Sequence, residues 1–371
     1  MRVLHICDRM FAVRETEMLS RLRIGMADEG VRLALFLPDS VLERTEDVLT
    51  GQVIAYPTGG TLLGRKLRTR RMAEAAEAAL GGEAPDIIHA FGGASWGVAE
   101  SLAERVGARL VLEAWRVRLG PRVRMLRHWQ KHARSERGGP VLAAPWRSID
   151  RELRREISGA SVRYVPWGVH PKPARKPRRE DGPLGIVLMG GRRASRDAES
   201  AARATLELAR DRDDVLLFAD AETAAAVRLW KLANELGVRD RVSVAEDLEV
   251  DRRLVTRMDA LVYAGRPGEA RTLLLDAMAA GLTVLAQQDE NNESLRDGET
   301  AIIVGDANGQ TWDAALARAM DEEGLGERLG ASSARWVATE RRASSQVAAL
   351  LDAYESAVTP SPGPAAAVTT G

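Results

Sequence analysis

Short runs of apolar and β-branched residues alternate with longer segments of helical pattern along most of this chain. In the first half the strand-like runs are Arg2–Cys7, Arg32–Pro38, Val53–Pro57, Asp86–Ala90, Arg109–Trp115, Val141–Pro145 and Val162–Pro166. In the second half they are Gly185–Met189, Val215–Ala219, Arg241–Ala245, Ala260–Ala264, Thr283–Gln287 and Ala301–Val304. Strands that alternate with helices form parallel sheets covered by helices on both faces. The pattern predicts an α/β fold of two doubly wound, Rossmann-like domains that face each other across a cleft.

Helix-length segments separate these strands. The clearest are Arg14–Glu29, Arg65–Leu80, Ser95–Val106, Arg147–Ile157, Glu199–Arg210, Glu222–Leu236, Ala270–Ala280 and Thr311–Met320. Within Ala270–Ala280 the apolar residues recur at helical spacing, and Gly281 is placed to end the helix.

A length of 371 residues suits two domains of about 150 residues, each with its own core. The stretch PKPARKPRREDG, rich in proline and positive charge, predicts the linker. The predicted parts are a first domain at 1–168, a linker at 169–182, a second domain at 183–340, a helix at 341–358 that packs back on the first domain, and a disordered tail at 359–371.

Charge and composition exclude several classes of protein. The net charge is zero, yet 27 basic and 20 acidic residues lie in 1–170, against 21 and 31 in 183–371, so the domains should have different electrostatic partners. The single Cys7 excludes a framework of internal disulfides. No apolar run has the length of a membrane span, and the N-terminus does not read as a signal peptide. We therefore expect a cytoplasmic protein, and five scattered histidines give no metal site.

Ligands of open α/β sheets bind beyond the carboxyl ends of the strands. One candidate segment there is Met189–Asp197, in which Gly190 and Gly191 permit close approach of a backbone to a ligand. Arg192 and Arg196 could hold a diphosphate, because the planar guanidinium binds phosphate oxygens through two hydrogen bonds. The alternative is an ordinary strand–helix turn with solvated arginines.

A second candidate is the segment from Arg266 to Asp276, which contains Gly268 and Glu269. Glu269 and Asp276 are seven residues apart, two helical turns, so their carboxylates could share one face and accept sugar hydroxyls. The alternative is a glutamate favoured by the helix dipole, together with an exposed aspartate.

A third candidate is His89, where a predicted strand meets the pair Gly92–Gly93. At that position a histidine can face a ligand in the cleft. Strand alternation equally allows it to point into the packing of the sheet, and the sequence leaves both alternatives open.

A fourth candidate is the segment from Trp115 to Arg137, with eight basic residues against the single acidic residue Glu136. Interleaved Val, Met, Leu and Trp side chains make it a candidate for peripheral contact with anionic lipids at the inner face of a membrane. A solvated helix with one apolar face is the alternative, and a nucleic-acid site is a weaker one.

Four segments form a further pattern in their order along the chain: DIIHAFG at 86–92, VPWGVH at 165–170, Gly191–Arg192 and LLDAMAAGLTVLAQQDENNESLRDGETAIIV at 274–304. Together they resemble the retaining glycosyltransferases of the GT-B fold, family 4 type. Some motif positions depart from the family pattern. Its two glutamates fall on Gly268 and Asp276, its donor lysine on Asp197, the second histidine of its His-x-His strand on Phe91, and its glycine-rich first loop reads DRMFAVRETE.

The resemblance implies a hexosyl-type transferase for polysaccharide biosynthesis that moves a sugar from a nucleotide-sugar to a glycan or lipid-linked acceptor, with no metal or other cofactor. The first domain would bind the acceptor and the second the donor. Arg192 and Arg196 would face the diphosphate, Asp276 the ribose, Glu269 the donor sugar, and His89 the acceptor or sugar. The departures leave open an alternative, a catalytically silent GT-B protein that binds a nucleotide-sugar or a partner without transfer.

Overall fold

The computed structural model describes residues 1–42, 49, 51–58, 62–117, 139–157, 161–173, 182–191, 195–246, 248–250, 252–305 and 309–359, with backbone only for 62–66. These residues form two parallel sheets, one of seven strands and one of six. The predicted α/β architecture with two doubly wound domains is confirmed.

The first domain is built on strands whose residues are apolar on both faces, as expected for a sheet covered by helices on each side. They are β1 (Arg2–Cys7), β2 (Arg32–Pro38), β3 (Gln52–Tyr56), β4 (Ile87–Phe91), β5 (Arg109–Glu113), β6 (Val141–Ala144) and β7 (Ser161–Tyr164), in the spatial order β3-β2-β1-β4-β5-β6-β7. Its helices are α1 (Arg9–Arg14), α2 (Thr16–Asp28), α3 (Leu62–Ala79), α4 (Trp96–Val106) and α5 (Arg147–Glu156).

The second domain repeats this plan. Its strands are β8 (Leu184–Met189), β9 (Val215–Asp220), β10 (Val242–Ala245), β11 (Ala260–Tyr263), β12 (Thr283–Gln287) and β13 (Ile302–Val304), in the order β10-β9-β8-β11-β12-β13. Its helices are α6 (Arg196–Asp211), α7 (Ala221–Ala226), α8 (Leu229–Leu236), α9 (Thr272–Ala279), α10 (Trp312–Asp321) and α11 (Leu325–Glu340). Because β8 lies between β9 and β11, the loops after these three strands meet at one edge of the sheet.

The last described helix, α12 (Ala343–Val358), belongs spatially to the first domain. The amide of Ala343 donates to the carbonyl of Val169 at 3.0 Å, and the amide of Val169 donates to the carbonyl of Arg341 at 2.8 Å. Tyr354 of this helix is fully buried against the first sheet. The chain therefore crosses between the domains twice, and the two crossings are hydrogen-bonded to each other.

One segment differs from its sequence prediction in a way that affects the cleft. The first helix is predicted over Arg14–Glu29, but a short extra helix, α1, begins directly after β1. Asp8 caps it by accepting a hydrogen bond from the amide of Phe11 at 2.9 Å, and the same carboxylate accepts from the amide of Ala94 at 3.0 Å. As a result α1 and the start of α2 project from the first domain toward the second.

No helix of the described chain is long and apolar enough to cross a membrane.

Candidate functional site

The turn after β8 leads into the N-terminus of α6, and only its two ends are among the described residues. The amide of Gly190 donates to the Thr223 hydroxyl at 2.8 Å, and Ser195 caps α6 by accepting from the amide of Ala198 at 3.0 Å. The dipole of a helix favours negative charge at such an N-terminus. Gly191 lies in the turn and Arg196 is an exposed first residue of the helix, whereas Arg192 lies outside the described residues.

The loop between β11 and α9 carries Gly268 and Glu269 at the same sheet edge. Gly268 has φ +78°, in the left-handed region, and its amide donates to Asp289 at 2.8 Å. Glu269 is buried, and cations surround its carboxylate: Arg14 at 3.3 Å, Arg116 at 3.2 Å and Arg266 at 4.0 Å. The carboxylate predicted to contact a donor sugar is therefore bound by arginines of this chain.

A short strap of backbone joins the two domains over this carboxylate. The amide of Val117 donates to the carbonyl of Gly268, and the amide of Ala270 donates to the carbonyl of Trp115, both at 2.9 Å. The Arg116 guanidinium stacks on the Trp115 ring, 4.0 Å from its centroid. We call residues 115–117 and 268–270 the strap. It holds the end of β5 against the loop after β11.

Asp276 lies on α9, almost fully buried, and is also paired within the molecule. Its Oδ2 is 2.8 Å from Arg252 Nη1 and 3.5 Å from Arg21 Nη1. Burial alone would raise the pKa of Asp276, but the charges of Arg21 and Arg252 outweigh it and hold that pKa below its ordinary value. Asp276 is therefore a carboxylate anion, and its charge is compensated by arginines.

Glu15, at the junction of α1 and α2, completes this cluster and was not singled out from the sequence. It accepts hydrogen bonds from the Thr272 hydroxyl and, at 3.3 Å, from the Thr272 amide, and Arg252 Nη2 lies 3.4 Å away. Arg252 also donates to the backbone carbonyl of Arg14 at 2.6 Å. Nothing local in DRMFAVRETE signals these contacts, because the partners are more than 230 residues away. We call the interdomain set the ionic network: Arg14, Glu15, Arg21, Arg116, Arg252, Glu269 and Asp276.

His89 does not reach the cleft, which corrects its predicted contact with an acceptor or sugar. Its side chain is fully buried in the first domain. Its Nδ1 is 2.8 Å from the Tyr354 hydroxyl and its Nε2 is 3.2 Å from Glu113. Packing explains the glycine at position 92, since a Cβ there would lie within 2.5 Å of the Asp8 carboxylate. The structure favours the second alternative, a histidine buried in the packing of the sheet.

The contacts of His89 belong to a longer buried chain of hydrogen bonds. Trp167 Nε1 donates to Glu113 at 2.7 Å, and the Tyr354 hydroxyl is 2.9 Å from His5 Nε2. Burial raises the pKa of Glu113 to about 8 and lowers that of His89 to about 3, so both groups are neutral near pH 7. We call His5, His89, Glu113, Trp167 and Tyr354 the neutral network.

Neutral His89 can donate from Nδ1 to the Tyr354 hydroxyl, and that hydroxyl can then donate to His5 Nε2. His89 Nε2 lies 3.2 Å from Glu113 without a well-aligned hydrogen bond. The neutral network therefore links β1, β4 and β5 to α12 without any charge.

Two other sequence predictions concern segments that lie mostly outside the described residues. Of the basic segment from Trp115 to Arg137 only residues 115–117 are described, and they belong to the strap. The predicted tail beyond residue 359 also lies outside the described residues. No group of His, Cys, Asp and Glu among the described residues could hold a metal ion.

No family model and no curated protein sequence matches the chain. Solved structures match it over nearly its whole length. A glycosyltransferase from Rickettsia africae is 15% identical, with a TM-score of 0.72 over 97% of this chain and 99% of its own. HepE from Anabaena, solved in complex with UDP and glucose, is 13% identical, with a TM-score of 0.71 over 96% and 100%.

A protein from Listeria monocytogenes, provisionally assigned as a UDP-N-acetylglucosamine 2-epimerase, is 15% identical, with a TM-score of 0.59 over 97% and 98%. At these identities the similarity shows the fold, and that fold is GT-B. Because the same architecture occurs in a transferase and in a protein assigned a different reaction, it does not by itself select the chemistry.

Proposed function

We propose that this protein is a nucleotide-sugar-dependent glycosyltransferase. The observation that carries the proposal is the match over 96% of the chain to HepE, whose structure contains UDP and glucose. The epimerase-like match makes a second reaction on a nucleotide-sugar conceivable, but the sequence resembles the transferases in several ordered motifs. The donor would bind at the edge of the second sheet, where Gly190, the start of α6 and Glu269 come together.

In this proposal the leaving diphosphate lies on the turn after β8. The free amides of α6, with Arg192 and Arg196, would offset the negative charge that grows as the bond to the sugar breaks. Asp276 would bind the ribose and Glu269 the sugar hydroxyls, provided that both carboxylates exchange their arginines for ligand. We propose retention of configuration and no metal requirement. The acceptor, a glycan or a lipid-linked sugar, would bind to the first domain.

The decisive experiment measures release of nucleoside diphosphate from a panel of nucleotide-sugars, with and without candidate acceptors. Arg192→Ala should reduce the rate about a hundredfold, the effect of one charge-assisted contact to a transition-state charge. Asp276→Ala should mainly raise KM, because a ribose contact is made equally in ground and transition states. Full activity in Arg192→Ala would reject the phosphate assignment.

One observation supports a second candidate, a GT-B protein that binds a nucleotide-sugar or a partner without transferring sugar. Both predicted donor carboxylates are bound to arginines of this chain. This candidate predicts a rise in melting temperature with nucleotide-sugars but no release of diphosphate with any acceptor.

We also propose peripheral contact with anionic membranes through the segment from Trp115 to Arg137. Liposome sedimentation tests it. Binding to anionic vesicles should disappear at high salt, because the attraction is electrostatic. Equal sedimentation with neutral and anionic vesicles would reject this contact.

A further inference from the structure

Glu269 is a single carboxylate shared by three arginines. Arg14 approaches its Oε2 at 3.3 Å, while Arg116 and Arg266 approach its Oε1 at 3.2 and 4.0 Å. Arg14 has a second acidic neighbour, Glu222, which is 3.7 Å away and half exposed. Three cations therefore lie within 4.0 Å of the one Glu269 carboxylate.

The two nearer arginines come from the first domain, whereas the carboxylate belongs to the second. Arg14 ends α1, and Arg116 lies in the strap. These ion pairs exist only while the two domains are in contact, so whatever replaces Glu269 as their partner also changes the link between the domains.

The pairing of Arg116 with Glu269 is close but poorly aligned. Arg116 Nε is buried and makes no hydrogen bond with acceptable geometry to any described residue, although Glu269 Oε1 is 3.2 Å away. A carboxylate fixed on a loop offers two oxygens in one plane. A diphosphate offers more oxygens in several directions and more negative charge, and so can satisfy a guanidinium fork better.

We propose that Arg14 and Arg116 form a diphosphate-binding pair contributed by the first domain, and that Glu269 occupies this pair as an internal anion when no ligand is bound. A diphosphate that enters the cleft displaces Glu269 and takes its arginines. The freed carboxylate then becomes available to hydroxyl groups of the ligand. The inference rests on the proposed function for the natural ligand, a nucleoside-diphosphate sugar, but the anion exchange can be tested without any sugar.

The experiment is titration calorimetry of inorganic pyrophosphate into the full-length protein at low salt. Glu269→Gln removes the competing anion and should tighten pyrophosphate binding about tenfold, the effect of one charge-assisted interaction. Arg116→Gln should weaken it about tenfold for the same reason. Arg266→Gln is the matched control, since Arg266 is 72% exposed at the same carboxylate, and it should change affinity by less than about twofold.

The proposal is overturned if Glu269→Gln leaves pyrophosphate affinity unchanged or lowers it, or if Arg116→Gln and Arg266→Gln have equal effects. Circular dichroism and urea unfolding establish that each variant is folded. If Glu269→Gln does not fold, Arg14→Lys and Arg116→Lys decide. Each keeps its charge but loses the planar fork, and each should weaken pyrophosphate binding by about threefold. Unchanged affinity in both lysine variants overturns the proposal.

Two further arms identify the source of the diphosphate and separate this inference from the proposed function. Preference for UDP over geranyl diphosphate supports a nucleotide source, and the reverse supports a lipid-linked source while retaining the diphosphate site. If the pyrophosphate results hold but no nucleotide-sugar is turned over, the anion pair stands and the transferase proposal fails. If sugar transfer is observed while Glu269→Gln leaves pyrophosphate affinity unchanged, the transferase proposal stands and this inference fails.

Discussion

The neutral network and the ionic network are both buried polar clusters, but they are built in opposite ways. The neutral network lies within the first domain and joins its sheet to α12 through uncharged groups. The ionic network lies between the domains and consists of arginines and carboxylates that, apart from the 25% exposed Arg116, are largely buried. The neutral network connects elements of one domain, whereas the ionic network connects two domains that a ligand would have to separate.

The difference follows from the free-energy cost of removing each kind of group from water. Buried neutral groups need only their hydrogen bonds, so the neutral network suits a permanent contact. Buried charges pay a large desolvation cost that their partners only partly recover, so exchanging those partners for water or for an anion is energetically accessible. If the two domains separate, we expect the contacts of the ionic network to be the ones that are exchanged.

The largest effect is expected from Asp276→Asn. The neutral amide leaves Arg252 and Arg21 without their shared anion, and removing one partner of a buried pair costs about 3 kcal/mol of unfolding free energy. Urea denaturation at pH 7 measures the loss. Asp211→Asn is the matched control, because Asp211 also has an arginine at 2.8 Å but is 62% exposed, so only a small loss is expected. Equal losses in the two variants would contradict the conclusion that the buried ion pairs of the ionic network contribute more to stability than an exposed pair does.

A somewhat smaller effect is expected from Tyr354→Phe in the neutral network. Loss of the hydroxyl leaves buried nitrogens of His5 and His89 unpaired, which costs about 2 kcal/mol. Tyr164→Phe removes a half-buried hydroxyl that donates to Glu293 at 2.9 Å, and should cost less than about 1 kcal/mol. Since no charge is involved, the Tyr354→Phe loss should be equal at low and high salt. A strong salt dependence would show that the network is charged.

The sequence predicts both sheets because their strands are continuous apolar runs, and such runs are a local signal. The sequence does not show on which face of the sheet the His89 side chain lies. Helices cover both faces, so residues at odd and at even positions of the strand are equally buried. Only the fold reveals that Tyr354, 265 residues away, is hydrogen-bonded to this histidine.

The candidate site is less predictable than the sheets. Gly268, Glu269 and Asp276 were found because they follow β11, as ligand-binding residues in such folds do. The sequence does not signal their arginine partners, because Arg14 meets Glu269 only where the domains come together and Arg252 lies 24 residues before Asp276, too far for a helical or strand period to link them. The six residues of α1 are also too short to give a helical period of their own.

The pH dependence of stability separates the two networks further. Burial raises the pKa of Glu113 to about 8. The contribution of this group to the free energy of unfolding is therefore fully present below its unfolded pKa of about 4.5 and is lost as pH rises toward 8. Glu113→Gln keeps the hydrogen bonds and removes this titration. The variant should gain at least about 1 kcal/mol relative to wild type between pH 5 and pH 8 in urea unfolding.

Burial lowers the pKa of His89 to about 3, so its stabilising contribution is present above its unfolded pKa and is lost as pH falls toward 3. This acid branch should be the same in wild type and Glu113→Gln. Parallel stability curves for the two proteins from pH 5 to pH 8 would show that Glu113 is already ionised in the folded state.

The smallest effect is expected in the strap. Gly268 has φ +78°, and a Cβ there would meet Val117 at an ordinary 3.4 Å, so Gly268→Ala should cost only the backbone strain of about 1 kcal/mol. Gly191→Ala is the control, because its φ is not left-handed and its Cβ would meet nothing within 4 Å. Urea unfolding that shows no difference between the two variants would mean that the strap adopts another conformation in solution. The same strain applies to Gly268→Glu, so introducing a glutamate at this position changes the strap as well as the charge.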